Sequence, residues 1–467
     1  MVSTPTPENA FSVLDESKAT RFQYKVMFVS GMGFFCDAYD LFIIGIVVAL
    51  LKTQWHLSTG QVALLSSLTL VASALGAVVF GRIADKFGRK RIYGYEVIVL
   101  AIGAIASACS PNLTCLLISR IVLGIGIGGD YPVSATIMSE YSGKRSRGRM
   151  VGLVFAMQGA GLVVGPLLAS ALLLAHVPNA VTWRLLLAFG AVPALLVFSW
   201  RRKIHETPRF SEAQGNEKAV SAAIKNAVEV SPASPPSETG AIQVNPESDA
   251  VQGMGDLLKN KRLLVWLLGT ASTWALLDFA YYGNTISSPE VLKLVNPNGT
   301  LVKNTLVQLA IFVVFALPGY WLAVRYLDRL GRKSIQLIGF FMMAVVFLLI
   351  GLVPAATTVA IPFVLLFGLS YFFSEFGPNT TTFVFPSEIF PVRVRTTADG
   401  ISAAAGKFGG FLGAFIFPIF LASTLGLRGT EVITGAVCVV GFIVTLVLLP
   451  EPKGLTLEQI EFLAEQR

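Results

Sequence analysis

Long apolar runs constrain the fold of this chain more than any other feature. A run of about 20 apolar residues can cross the hydrocarbon core of a bilayer as a helix, and the sequence contains about twelve of them. Charged residues make up 14% of the chain, against about 25% in soluble proteins. The sequence therefore predicts an all-α polytopic membrane protein. The predicted spans lie near residues 24–50, 61–83, 92–110, 113–138, 150–175, 182–200, 262–288, 304–326, 335–354, 358–385, 397–422 and 431–449.

Basic residues are concentrated in alternate loops. Lys and Arg crowd the loops after the second, fourth, sixth, eighth and tenth spans, as in Arg201-Arg202-Lys203, whereas the other loops carry few, such as Lys52. The positive-inside rule then places both termini in the cytoplasm. This placement accounts for the net charge of +8 without a nucleic-acid partner. Residues 1–23 lack an apolar core and are predicted to be a cytoplasmic tail, not a cleaved signal peptide.

A change in composition divides the chain. Residues 201–260 are rich in Ser, Ala, Pro, Glu and Asn, which predicts a partly disordered cytoplasmic linker. It separates a predicted six-helix bundle at residues 24–200 from a second one at residues 261–450. A cytoplasmic C-terminal tail is predicted at residues 451–467.

The two halves repeat each other. Acidic residues with similar surroundings recur at offsets between 243 and 248 residues, and three such pairs at nearly one offset are hard to obtain by chance. The repeated pairs are Asp85 and Asp328, Glu140 and Glu388, and Glu206 and Glu451.

The repeated loops place carboxylates near predicted helix ends and arginines in the next loop, so they can form ion-pair latches between helices. Pseudo-symmetric halves put a binding site at their interface, and rocking one half on the other gives alternating access. The latches would then hold the outward-open state; a purely structural role in fixing loop turns and topology is the alternative. The predicted latch residues are Asp85, Arg89, Glu140, Arg147, Asp328, Arg332, Glu388 and Arg395.

Several motifs resemble those of the major facilitator superfamily. Gly81-x-x-x-Asp85-Lys-x-Gly88-Arg89-Lys90 resembles a signature loop of the superfamily, and residues 128–140, GGDYPVSATIMSE, resemble the signature of its phosphate:proton symporter family. The segments around Asp37 and Asn379 are also similar to that family. The resemblance covers the whole chain. It implies twelve helices in two pseudo-symmetric six-helix bundles, and a monomeric proton-coupled symporter that imports inorganic phosphate across the cell membrane.

Ionisable residues inside the predicted spans point to proton coupling. Each costs about 3 kcal/mol at the bilayer centre, so seven would cost about 20 kcal/mol unless they face water, one another or a substrate. Five are acidic, so an entering anion would meet net repulsion unless some carboxylates carry protons. The seven residues are Asp37, Asp40, Glu96, Arg120, Asp130, Asp278 and Lys407.

A set of polar side chains is suited to bind an oxyanion. Trp274, Asp278 and Tyr282 recur at four-residue intervals along one helical stripe, although plain packing is an alternative. Lys407 lies deep in its span among glycines that leave room around it; snorkelling to the interface is its alternative. An Asp in an anion site suits a ligand that donates a hydrogen bond, as phosphate does and sulfate at neutral pH does not. The resemblance implies phosphate binding by Tyr131, Gln158, Trp274, Asp278, Tyr282, Asn379 and Lys407.

A second group is predicted to handle protons. Adjacent helical residues point about 100° apart, so Asp130 and Tyr131 cannot face one centre equally, which favours Tyr131 for phosphate and Asp130 for protons. Asp37 and Asp40 share a helix face and can relay protons beside Arg120; a fixed ion pair between Asp37 and Arg120 is the alternative. The resemblance implies proton transfer for Asp37, Asp40 and Asp130, and Glu96 and Arg120 complete the predicted group.

Other functions stay open. A porter for a sugar or another anion would share the superfamily loops, and a phosphate receptor could signal through the linker with little transport. The sequence shows no metal-ligand cluster, nucleophile elbow or phosphate-binding loop, so we predict no enzyme, no metal and no cofactor. The predicted partners are phosphate, protons and the lipid bilayer.

Overall fold

The computed structural model describes residues 19–227 and 254–465. Most of the predicted N-terminal tail (1–18), the proline-rich part of the predicted linker (228–253) and residues 466–467 lie outside this range. Within it, twelve helices are long and apolar enough to cross a membrane, the number predicted. They are α1 (Arg21–Gln54), α2 (Thr59–Phe87), α3 (Arg89–Ala108), α4 (Leu113–Tyr141), α5 (Arg147–Leu174), α6 (Asn179–Arg201), α7 (Lys261–Val295), α8 (Leu301–Leu330), α9 (Arg332–Leu352), α10 (Ala360–Ile389), α11 (Arg395–Ala422) and α12 (Gly426–Leu448).

Two glycines make the turns between consecutive helices. Gly88 alone joins α2 to α3, with φ of 98°, and Gly331 joins α8 to α9, with φ of 96°. Glycine adopts these positive φ values without the steric cost that a Cβ brings. The two turns are therefore equivalent features of the two halves.

The repeated glutamates cap the helices that follow these turns. Glu206 accepts hydrogen bonds from the N–H groups of Arg89 and Lys90, both at 3.2 Å. Glu451 accepts the equivalent bonds from Arg332 and Lys333, both at 3.0 Å. The first N–H groups of a helix have no partner within the helix and favour negative charge. The repeated glutamates thus have the same structural task in both halves.

The described parts of the predicted linker and C-terminal tail contain short helices. Three lie between α6 and α7, at Pro208–Ala213, Glu217–Ala227 and Met254–Lys259. A fourth, the C-terminal helix, spans Leu457–Glu465. Arg209 Nε donates to Glu458 Oε1 at 3.0 Å, so the linker and the C-terminal helix are tied together.

Close helix packing builds each half and the boundary between them. In the first half α1 packs on α5 and α2 on α4; in the second, α7 packs on α11 and α9 on α12. A Cβ on Gly124 or Gly128 would collide with carbonyl oxygens of α2, those of Thr69 and Ser73, as their spacing predicts. Between the halves, α2 lies against α11 and α5 against α8.

Candidate functional site

The residues predicted to bind phosphate meet at the boundary between the two halves. α4 and α5 provide two of them, and α7, α10 and α11 provide five. None of the seven is more than 3% exposed. The cluster is therefore closed to solvent in this arrangement.

Lys407 is the centre of this cluster. Its Nζ donates to the Tyr282 hydroxyl at 2.8 Å and to Asp278 Oδ2 at 3.2 Å. It also lies 4.2 Å from the centroid of the Tyr131 ring, within the range of a cation–π interaction. The lysine is thus held inside the protein and does not snorkel towards the membrane surface.

The glycines around Lys407 make room for α7. A Cβ on Gly409 would collide with the Ala275 carbonyl oxygen, and a Cβ on Gly406 would collide with the Trp274 indole. A Cβ on Gly410 would lie 2.8 Å from Tyr282 Cδ2. The expectation that they leave space around the lysine was therefore wrong, because the aromatic stripe of α7 fills it.

A chain of hydrogen bonds joins the two amides to this centre. Gln158 Nε2 donates to the Tyr131 hydroxyl at 3.3 Å. The Tyr320 hydroxyl donates to Gln158 Oε1 at 2.8 Å and accepts from Asn379 Nδ2 at 3.0 Å. Tyr320 was not predicted, since a tyrosine in the apolar run of α8 looks like any other aromatic residue.

Three phenylalanines form an apolar wall beside Tyr131. Phe34 lies 4.8 Å from Tyr131 and 4.8 Å from Phe383, centroid to centroid, and Phe383 lies 4.8 Å from Phe155. With 33 phenylalanines in the chain, no sequence signal distinguishes these three. The wall comes from three different helices, α1, α5 and α10.

Asp130 and Glu96 share one cation. Arg201 donates to Asp130 through Nη1 at 2.6 Å and Nη2 at 2.8 Å, and Nη1 also donates to Glu96 Oε1 at 2.6 Å. Counting Arg201 among the loop charges was wrong, because it is the last residue of α6 and is fully buried. A Cβ on Gly33 would collide with Asp130 Oδ2, so that glycine makes room for the pair.

Asp37 and Arg120 do not form the fixed ion pair considered above. Arg120 instead donates to the backbone oxygen of Asp40 at 2.8 Å and to Thr69 Oγ1 at 2.9 Å. Both carboxylate oxygens of Asp37 are buried and lack a hydrogen-bond partner among the described residues. Asp40 is likewise buried without such a partner. Neither carboxylate is therefore neutralised by direct contact with Arg120.

The count of seven ionisable residues within the spans was too low. Arg201, Glu375, Asp399 and Glu431 also lie within spans and are fully buried. Glu375 lies within the predicted tenth span, at residues 358–385, and is an additional ionisable residue there. Asp399 and Glu431 lie near the start of predicted spans. A charged side chain there can reach the membrane interface, so its presence does not indicate a buried functional group.

The predicted latch residues meet at one end of the bundle, called here the basic end and defined by Arg89, Arg332 and Arg395. Glu140 Oε1 of the first half accepts from Arg89 at 3.3 Å and from Arg395 of the second half at 3.2 Å. Asp85 Oδ2 also crosses the boundary to Thr397 Oγ1 at 2.6 Å. The other contacts are Arg89–Asp85 at 3.1 Å, Arg332–Asp328 at 3.0 Å, Arg332–Glu388 at 2.8 Å and Arg147 Nη1 to the Leu455 oxygen at 3.3 Å.

Two solved structures of a xylose transporter have a similar fold. The proton:xylose symporter XylE bound to 6-bromo-6-deoxy-D-glucose aligns with a TM-score of 0.76 at 21% identity, over 96% of this chain and 100% of that one. A partially occluded inward open structure of the xylose transporter XylE from E. coli gives 0.72 at 21% identity, over 94% of this chain and 100% of that one. The fold is that of the major facilitator superfamily.

Proteins with similar sequences show to which family the chain belongs. Residues 26–464 match the family described as Sugar (and other) transporter. The low affinity inorganic phosphate transporter 1 of Petunia hybrida is 35% identical, covering 96% of this chain and 94% of its own length. The inorganic phosphate transporter 1-2 of Oryza sativa subsp. japonica is also 35% identical, covering 97% and 96%. The chain therefore belongs to the sugar (and other) transporter family of the major facilitator superfamily, among the relatives named inorganic phosphate transporters.

Proposed function

We propose that this protein is a proton-coupled symporter that imports inorganic phosphate by alternating access. The observation that carries the proposal is the Lys407 ammonium, buried between Asp278 and the Tyr282 hydroxyl at the boundary of the two halves. The names of the relatives give independent support for phosphate. A membrane-embedded cation suits an anionic substrate better than a sugar, whose hydroxyl groups do not require one.

The Asp278 carboxylate selects the kind of anion. Phosphate that carries a proton can accept a hydrogen bond from Lys407 and donate one to Asp278, whereas sulfate at neutral pH has no donor. Sulfate would therefore leave two acceptors facing each other in a buried site, which is a penalty against the wrong ligand. Gln158 and Asn379 supply amide donors from the two halves.

Protons enter this scheme through the acids of the first half. Protonation of Asp37 and Asp130 from outside favours phosphate capture, and proton loss inside weakens binding and releases phosphate. Asp37 has no hydrogen-bond partner among the described residues, and Asp130 shares Arg201 with Glu96, so a proton on either acid changes the local charge balance. Glu140 and its arginines then act as a latch that separates when the halves rock inward.

The membrane orientation follows from the charged ends. The basic end faces the cytoplasm by the positive-inside rule, with both termini on that side. We place the protein in the plasma membrane as a monomer.

Uptake into proteoliposomes tests the proposal. Labelled phosphate is supplied with and without an inward-directed proton gradient, using wild type and Asp278→Asn. We expect gradient-driven accumulation in wild type and its loss in the variant. Unlabelled sulfate and xylose serve as competitors. If wild type ignores phosphate but carries a sugar or another anion, the family assignment stands and the phosphate assignment falls.

A further inference from the structure

Glu375 is a buried carboxyl group bonded directly to a predicted phosphate-binding side chain. It lies two residues before Gly377, where α10 is interrupted, and is fully buried. Its Oε2 accepts a hydrogen bond from Asn379 Nδ2. Its Oε1 has no hydrogen-bond partner among the described residues. No function described above uses this acid.

The surroundings of Glu375 are neutral. The titratable groups that face it are the hydroxyls of Tyr281 in α7, Tyr320 in α8 and Tyr371 in α10 itself. α5 contributes the uncharged Gln158 nearby, through its bond to Tyr320. Among the described residues, Glu375 belongs to no ion pair within 4.0 Å.

An unpaired buried carboxylate is expensive. Removing an ionised carboxyl group from water costs several kcal/mol unless a cation and further hydrogen bonds compensate. Glu96, Asp130 and Asp278 each have such a cation, Arg201 or Lys407. Glu375 has one amide bond and only uncharged hydroxyls nearby. In this closed arrangement the protonated form of Glu375 is therefore favoured over the carboxylate.

The Asn379 amide is the link to substrate. Its Nδ2 has two hydrogens but three acceptors within reach: Glu375 Oε2, the Tyr320 hydroxyl at 3.0 Å and Gln158 Oε1 at 3.4 Å. An ionised Glu375 would be the strongest of them, because hydrogen bonds to charged groups are roughly twice as strong as neutral ones. A protonated Glu375 holds the amide hydrogen less strongly, so a phosphate oxygen can displace Glu375 Oε2 as its acceptor.

We propose that Glu375 is a proton-binding site in the second half of the protein whose protonation releases the Asn379 amide to phosphate, so that one proton is carried on Glu375 with each phosphate. This inference rests on the function proposed above. The O–H bond forms when the open site takes a proton from outside; inside, the proton passes to water and the electron pair stays on the carboxylate. Linkage requires that phosphate binding favours the proton as much as the proton favours phosphate.

The number of protons per phosphate tests this inference. Proteoliposomes receive a gradient of about 1 pH unit at zero membrane potential, where each coupled proton raises the steady phosphate accumulation ratio about tenfold. We expect Glu375→Gln to accumulate about tenfold less than wild type. Glu375→Asp keeps a titratable acid and should keep the wild-type ratio at a lower rate. A wild-type ratio in Glu375→Gln overturns the proposal.

Glu431→Gln is the matched control. Glu431 is also a fully buried acid within a span, but its hydrogen bond, at 3.4 Å, comes from Asn284 and not from a predicted phosphate-binding residue. Its variant should keep the wild-type ratio, and an equal loss in both variants would overturn the role of the Asn379 contact. Phosphate exchange at equal pH on both sides shows whether each variant is folded.

If a variant shows no net transport, the inference is tested by measuring phosphate binding to the purified protein. We expect wild type to take up more protons on binding than Glu375→Gln, and equal uptake overturns the proposal. If Glu375→Gln does not bind phosphate, the pH dependence of phosphate binding is measured for Glu375→Asp instead. Moving the carboxyl group should shift the pH midpoint of binding. An unchanged midpoint overturns the proposal. If wild type does not accumulate phosphate, the proposed function is refuted. If wild type accumulates phosphate with the proton gradient and Glu375→Gln reaches the same accumulation ratio, only this inference is refuted.

Discussion

Arg201 binds Asp130 through both of its terminal nitrogens, at 2.6 and 2.8 Å. The same guanidinium holds Glu96 at 2.6 Å and lies 4.6 Å from the Tyr93 ring centroid. α3, α4 and α6 are thereby joined by one buried cation. A change in the charge of Asp130 therefore alters its ion pair with Arg201, and through Arg201 the ion pair with Glu96.

Removing this cation should destabilise the first half. Arg201→Gln leaves two buried carboxylates without a counter-charge, and breaking such a buried pair costs about 3–5 kcal/mol. We expect a clear fall in the thermal unfolding midpoint of the purified protein. Arg202→Gln is the control, since the neighbouring side chain is exposed and surface changes usually stay within about 0.5 kcal/mol. Equal midpoints for Arg201→Gln and wild type would contradict a structural role for the pair.

Neutralising Asp130 should separate coupling from exchange. Asp130→Asn keeps the size of the side chain while Arg201 keeps Glu96 as a partner, so the fold should survive. We expect proton-driven phosphate accumulation to be abolished while phosphate exchange continues. The measurement is labelled uptake with a proton gradient, beside exchange without one. Normal uphill uptake by the variant would refute the coupling role of Asp130.

Weakening the latch should open the basic end. Glu140→Gln removes the carboxylate that Arg395 of the second half approaches at 3.2 Å, so the closed arrangement loses a contact between the halves. We expect longer distances between spin labels on Arg91 and Ser334, both exposed. The same labels in the Glu290→Gln protein, altered near the other end at the Lys52 pair, provide the comparison. An unchanged distance distribution in Glu140→Gln would show that this contact does not hold the halves together.

The contact between α7 and α11 should tolerate no added methyl group. In Gly409→Ala the new Cβ would collide with the Ala275 carbonyl oxygen; overpacking of this kind costs about 1–3 kcal/mol. The gain in helix propensity, about 1 kcal/mol, matches only the lower end of that cost, and a collision with backbone, which cannot move aside like a side chain, lies above it. Gly60→Ala is the control, because nothing lies within 4 Å of its Cβ position. We expect a lower unfolding midpoint only for Gly409→Ala, and equal midpoints would contradict the packing argument.

Acid should release the C-terminal helix. Burial alone would raise the pKa of Glu458, but Arg209 and a backbone hydrogen bond outweigh it and lower the pKa from 4.5 to about 2. Because the pKa of Glu458 is lower in the folded protein than in the unfolded chain, its ion pair with Arg209 stabilises the folded state above the unfolded pKa. This tether is therefore fully present above about pH 4.5 and is lost as the pH falls towards 2. Protease sensitivity of residues 457–465 should rise only in that range. Glu458→Gln should raise it already at pH 7, and equal sensitivity there would contradict the tether.

Hydropathy predicted the spans, because membrane insertion depends on local sequence, and the repeat identified Glu206 and Glu451 as equivalent residues of the two halves. The site was harder to predict. The resemblance of the motifs identified residues such as Tyr131 and Lys407, which lie together in the structure. Arg201 was missed because it precedes Arg202 and Lys203, and such a basic cluster is typical of a loop. Its burial depends on three other helices meeting around it. Tyr320 escaped for the same reason, since its partners lie on α5 and α10.

The pairing of Lys407 with Asp278 at 3.2 Å has an electrical consequence. Moving one elementary charge through the whole membrane potential involves about 2.3 kcal/mol per 100 mV, and a paired ammonium and carboxylate carry no net charge. If the halves reorient without cargo, this pair therefore moves without work against the field. This pair would then add nothing to the voltage dependence of the cycle, which would arise from phosphate, its protons and the carboxylates that lose them.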